Sequence, residues 1–181
     1  MTARRRLTPH RGFTLIELLV VAALIAVIAA VATPSLRAFA SNQALKSVTS
    51  DLLGAVNLAK NTALTRNATV IVAPFSDSDW TTGWRVFVDN DSSSDWSSGD
   101  TLISEREAVP DGISKETAAM SNCTDIALIG YGQDGFLKSL SGNFNGGVRF
   151  KSDVTSQNRC IVISKVGSAR ICGTGGGAPA C

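Results

Sequence analysis

Residues 11–20 read Arg-Gly-Phe-Thr-Leu-Ile-Glu-Leu-Leu-Val, "RGFTLIELLV", and place a single carboxylate, Glu17, near the entrance of a run that carries no other charge from Phe13 to Ala32. At about 1.5 Å per residue, a helix of that length covers about 30 Å, the thickness of the hydrocarbon core of a bilayer. By length and composition the run spans a membrane. A lone carboxylate inside it costs about 2.5 kcal/mol or more on insertion unless it is protonated or paired, so Glu17 reads as a functional residue that needs a partner. The plainer alternative is an acid that snorkels to the headgroups from one turn inside the helix.

The rest of the chain extends outward from this segment. With 181 residues, 44% hydrophobic and 18% charged, the sequence holds one membrane segment and a single further domain with its own core. Arg4, Arg5, Arg6 and Arg11 precede the apolar run and only Arg37 closely follows it, which keeps the N-terminus cytoplasmic and exports the bulk of the chain. The net charge of +2 is a property of the first twelve residues: without their four arginines, 13 basic residues face 15 acidic ones. Acids concentrate between Asp77 and Asp134, while Lys138 to Cys181 holds six bases and Asp153 as its one acid.

Beyond Pro34, which bends a helix by removing one backbone donor, Leu45, Val48, Leu52, Val56, Ala59 and Ala63 recur at spacings of three and four. That stripe predicts an amphipathic helix to about Arg66, with Lys46, Asp51, Lys60 and Arg66 mostly off the apolar face and Asn67 as its C-cap. The period then changes to that of strands. Residues 69–73, 84–88, 101–104, 126–129, 147–150 and 160–164 are short β-branched or aromatic runs bounded by Gly, Asp, Asn or Ser, which predicts six or seven strands. One long helix followed by strands is an α+β pattern, an antiparallel sheet packed on the apolar stripe.

Catalysis has no support. The only histidine, His10, precedes the membrane segment, so the exported part has no imidazole base and no legible triad. No cofactor is implied, and no Cys/His spacing suggests zinc. Asp89-Asn90-Asp91-Ser92-Ser93-Ser94-Asp95 with Asp100 offers oxygens at positions one, three, five and twelve of a calcium loop,. It departs from that pattern at Ser94, where the loop needs glycine, at Asp100, which is shorter than glutamate, and in its strand-like flanks. The reading is therefore a solvated acidic hairpin loop and no metal. Trp80, Trp84 and Trp96 around it read as hairpin and core packing.

Two processing events compete at the N-terminus. A secretory signal would be cut after Ala30-Val31-Ala32, before Thr33, and would release a periplasmic ligand-binding β domain. Against it, the apolar run is longer than such a signal needs and contains Glu17. The other event is cleavage between Gly12 and Phe13, which leaves the hydrophobic helix on the mature protein. Gly12-Phe13-Thr14-Leu15-Ile16-Glu17-Leu18-Leu19 resembles the class III leader junction of type IV pilins and pseudopilins. Gly83-Trp84-Arg85-Val86-Phe87-Val88-Asp89 and Ile129-Gly130-Tyr131-Gly132-Gln133-Asp134-Gly135 resemble the globular domain of GspH/FimT-type minor pilins and pseudopilins.

The resemblance implies a pilin-like fold: a leader over 1–12, a transmembrane half of the helix over 13–34, a periplasmic half over 35–67, and a β-rich domain with a Gly-rich tail over 68–181. It implies cleavage by prepilin peptidase after Gly12 and N-methylation of Phe13. Glu17 would pair with the N-terminal amine of a neighbouring subunit, and Pro34 takes the family's place in the helix. The expected partners are other pilin or pseudopilin subunits and the inner membrane, with the C-terminal domain in the periplasm. A minor pilin of a type IV pilus is the expected function, with the H pseudopilin of a type II secretion system as the alternative.

Cys123, Cys160, Cys172 and Cys181 all lie in the exported part, which predicts two disulfides in one of three pairings. The favoured pairing closes the tail between Cys172 and Cys181 and staples two strands through Cys123 and Cys160, each just before a strand. Some FimT-like minor pilins bind DNA for uptake through a Gly-Arg-x-Arg motif, and the matching place here reads Gly167-Ser168-Ala169-Arg170, with the first arginine lost. A turn at Gly167 would bring Lys165 and Arg170 together, with Lys151, Arg149 and Arg159 adjoining. Such a patch would bind phosphates without reading bases; the alternatives are solvated charges that offset the acidic half, or contacts to an acidic neighbouring subunit, the latter preferred to DNA.

Overall fold

Helix α1 runs from Leu15 to Arg66 in the computed structural model, which describes residues 12–116, 123–138 and 146–174. The chain divides into two units at Arg37 and Ala38. Thr14 starts the helix: the backbone N–H of Glu17 donates to its Oγ1 at 3.3 Å. Thr14-x-x-Glu17 is thus the Ser/Thr-x-x-Glu spacing of a capping box, and the acid lies in the first turn, where the helix dipole favours negative charge. Among the described residues of the first unit, the large apolar side chains from Phe13 to Val31 are exposed. Near Pro34, Thr33 Oγ1 donates to Ala29 O at 2.7 Å and Ser35 Oγ to Ala32 O at 2.9 Å.

The second unit contains the predicted stripe. Leu45, Val48, Leu52, Val56, Ala59 and Ala63 are all fully buried. Thr49 and Thr62 share their face, and each returns its hydroxyl to a carbonyl one turn back, Leu45 O at 2.9 Å and Leu58 O at 2.8 Å, which satisfies the buried oxygens. The helix ends as expected at Asn67, whose φ is 50°. The Ala68 N–H then donates to Ala63 O at 3.2 Å, the six-to-one bond of a Schellman ending.

Nine strands follow among the described residues: β1 Val70–Ser76, β2 Asp79–Val88, β3 Thr101–Arg106, β4 Ile113–Lys115, β5 Ile129–Tyr131, β6 Leu137–Lys138, β7 Gly146–Ser152, β8 Asn158–Ile163 and β9 Ala169–Gly173. They form two antiparallel sheets, ordered β3-β2-β1-β5-β6 and β4-β7-β8-β9. The α+β class holds, but the expected six or seven strands are too few. β4 and β6 are only three and two residues long, and β9 is Ala-Arg-Ile-Cys-Gly, with one β-branched residue; each depends on its neighbour for pairing. The strand expected at 126–129 begins instead at Ile129. The Ile126 carbonyl accepts the Trp80 indole N–H at 2.9 Å, so it serves a buried side chain instead of a ladder.

One core joins the helix to both sheets. Val70, Val72, Trp84 and Val86 from the first sheet and Val148, Phe150, Ile161 and Ile163 from the second pack with the helical stripe. The second sheet is also tied to the helix by Ser41 Oγ and Ser152 Oγ at 2.7 Å and by Thr155 Oγ1 donating to Asn42 Oδ1 at 2.7 Å. The first sheet is tied by Arg106 Nε and Asp51 Oδ2 at 3.0 Å.

Candidate functional site

Three places concentrate chemistry. The first is the helix entrance, where Gly12, Phe13 and Glu17 are exposed and no ion pair among the described residues involves Glu17. The capping role of Thr14 was legible in the sequence, as a threonine three residues before a glutamate, but it did not enter the reading of this segment.

The second is the face of the second sheet that points away from the helix. Register places Arg149 opposite Cys160, and Cys160 opposite Cys172. Cys123 and Cys160 form a disulfide with 6.4 Å between Cα atoms, as expected. The staple differs in kind from the expected one: Cys160 is the third residue of β8 and not a residue before it, and Cys123 precedes a segment whose Asp125 pairs in parallel with Gly147 of β7. The bridge therefore crosses over β7 to reach β8. Gly147 lies underneath, where a Cβ would sit 2.8 Å from Cys160 Sγ and 3.0 Å from Cys123 Sγ. Cys172 is also disulfide-bonded, while Cys181 lies outside the described residues.

The predicted basic patch is split by the fold. The β8–β9 hairpin does turn at Gly167, with φ of 72° and the Gly167 N–H donating to Ser164 O at 2.8 Å. Lys151, Lys165 and Arg170 are exposed. Arg149 is buried and pairs with Glu116 Oε2 at 3.4 Å. Arg159 is buried on the opposite side of the sheet, in the row of Phe150. Alternation along a strand decides this: Arg149 and Arg159 cannot share a face. Neither belongs to an exposed anion-binding surface, which corrects the five-residue patch.

The third place is the β2–β3 connection. Its Trp96 stands edge-on to Phe87 at 5.3 Å, and the Arg85 guanidinium lies between the Phe75 and Trp96 rings at 4.5 and 5.1 Å. These contacts hold the loop against the outer face of the first sheet. Trp80 and Trp84 are buried in the core as expected, while Trp96 remains partly exposed. Within the loop, carboxylate oxygens of Asp89, Asp91 and Asp100 come within 4.8 Å of one another. Asp100 accepts from Asn90 N at 3.0 Å and Ser97 N at 2.8 Å, and Asp91 from Ser93 N at 2.9 Å and Ser97 Oγ at 3.0 Å. Burial, with Asp91 adding to it, raises the pKa of Asp89, whereas bonds from Ser93 lower that of Asp91. The carboxylates of Asp91 and Asp100 are thus fixed by donors from their own loop.

Residues 48–167 match the family described as type II transport protein GspH, and residues 8–33 match the prokaryotic N-terminal methylation motif. The chain belongs to the GspH family. The fold agrees: the type IV minor pilin FimU of Pseudomonas aeruginosa, in one crystal form, is similar over 74% of this chain and 91% of its own, at 14% identity and a TM-score of 0.54. In a second crystal form the corresponding values are 70%, 91%, 13% and 0.51. No curated protein matches the chain. For this GspH-family chain the methylation motif implies processing by prepilin peptidase and assembly with other pilins. Its α1 is, among the described residues, one helix long and apolar enough to cross a membrane.

Proposed function

We propose that this GspH-family protein is a minor pilin of a type IV pilus, cut after Gly12, methylated at Phe13 and held in the inner membrane by residues 13–34 with its β-rich domain in the periplasm. Its role is structural, not catalytic. The observation that carries this reading is the first turn of α1, where Glu17 is exposed and flanked by exposed Phe13, Leu15, Ile16, Leu18 and Leu19. Such a surface requires an apolar environment, first lipid and then the equivalent helices of other subunits. Glu17 is the charged position within it, and the amine of a neighbouring Phe13 is the partner that would compensate it. A buried charge used to set register is the best-attested role for such groups.

Pro34 within α1 and the likeness to a protein described as a type IV minor pilin favour a pilus over the alternative, a GspH-type pseudopilin of a type II secretion system. Exposed Lys151, Lys165 and Arg170 serve contacts to a neighbouring subunit. DNA capture for uptake is the second reading of that hairpin, favoured by Gly167 and Arg170 standing where the family motif has them.

The test is recovery of the protein from sheared, purified filaments together with its intact mass. A methylated Phe13 start, presence in pili and loss of pili on deletion support the proposal. Intact pili with failed protein secretion on deletion would assign the pseudopilin role. A Thr33 start would overturn both.

A further inference from the structure

We propose that the β2–β3 connection is a calcium site built from the carboxylates of Asp89, Asp91 and Asp100. Oxygens bound to one calcium ion lie at 2.3–2.6 Å from it and so stand no more than about 5 Å apart; the three carboxylate oxygens here fall within 4.8 Å of one another. Proximity of acids alone would not carry the assignment. The independent observation is Asp89, which is only 7% exposed and whose Oδ1 has no hydrogen-bond partner among the described residues.

A buried carboxylate oxygen must be compensated by a donor or a cation. The ion pairs among the described residues are Arg106–Asp51, Lys115–Asp125 and Arg149–Glu116, and none of them reaches this cluster. A divalent ion supplies the compensation and offsets two of the three clustered charges. Hard oxygen ligands select calcium or magnesium over softer metals. Calcium is favoured because it accepts irregular geometry and six to eight ligands, to which loop carbonyls and water contribute, whereas magnesium demands a near-ideal octahedron. The sequence features that argued against an EF-hand do not count against this site. Ser94 already holds the left-handed conformation that glycine usually supplies, with φ of 69°, and Trp96 on Phe87 fixes the loop in place of flanking helices.

The experiment is calorimetric titration of the full chain in detergent, stripped with a chelator, using calcium chloride as the probe, with thermal unfolding followed in parallel. Expected are one saturable site with Kd of about 10⁻⁴–10⁻³ M, as in extracellular calcium modules, and a higher Tm with calcium. Asp91→Asn, at an exposed position, and Asp89→Asn should each weaken binding by about tenfold or more, since affinity follows ligand charge. Asp111→Asn, outside the loop, should not. No saturable binding by the folded wild-type chain at about 10 mM calcium, well above that range, would overturn the proposal. So would unchanged binding in folded Asp91→Asn, which would put the ion elsewhere, or magnesium binding as tightly.

Discussion

Lys60, on the helix, donates from Nζ to the carbonyl oxygen of Gly167, 107 residues later, at 3.2 Å. The same carbonyl accepts the Tyr131 hydroxyl at 3.2 Å. One backbone oxygen at the tip of the β8–β9 hairpin is thereby bound to the helix and to β5 of the first sheet. The hairpin that carries Lys165 and Arg170 is held by the core as well as by its own strand pairing.

Gly167→Ala should therefore destabilise the domain, by about 1–3 kcal/mol. The residue has φ of 72°, and a Cβ would lie 2.8 Å from both Gly135 O and Tyr131 Cε1. Denaturant unfolding of the full chain in detergent checks this. A change within about 0.5 kcal/mol, typical of a tolerant surface site, would show that the tip is not held.

Burial raises the pKa of Tyr131 above that of a free phenol. The folded state thus retains this proton at pH values where the unfolded chain has lost it. The contribution is complete below the unfolded value of about 10 and declines as pH rises beyond it. Tm should fall across this alkaline range more steeply in the wild type than in Tyr131→Phe. Equal slopes would contradict the assigned burial.

The Cys123–Cys160 bridge closes a separation of 37 residues, and the chain-entropy account gives about 3–4 kcal/mol for a loop of that size. Cys123→Ser should cost about that much, and Gly147→Ala should disturb the same site, because its Cβ would meet the Ile161 carbonyl oxygen of β8 as well as both sulfur atoms. If reduction of the bridge leaves the denaturant midpoint unmoved, the staple does not support the fold.

Thr14→Ala removes the N-cap oxygen and should fray the first turn, lowering stability there by about 1 kcal/mol. Glu17→Ala should leave membrane insertion intact or improved while filament incorporation falls. Comparing the two variants separates capping from intersubunit pairing. If Thr14→Ala lowers incorporation as much as Glu17→Ala, the carboxylate acts through the helix turn and not through a neighbour.

The membrane run, the helical stripe from Leu45 to Ala63, the Asn67 stop and the α+β class were legible because each depends on local order: an unbroken apolar length, a period near 3.6, or a residue that tolerates positive φ. The Gly12–Leu19 junction was equally legible, since it is a contiguous segment. Tertiary structure alone decided the division into two sheets, because β4, β6 and β9 are too short to announce themselves and form only beside a partner. It also decided which charges are available. Strand alternation and a distant Glu116 removed Arg149 from the surface, and parity placed Arg159 on the other face. The spacing of Asp89, Asp91 and Asp100 was legible as a loop pattern, but the seating of that loop through Trp96 on Phe87 and Arg85 is a contact between side chains on different segments that no local spacing encodes.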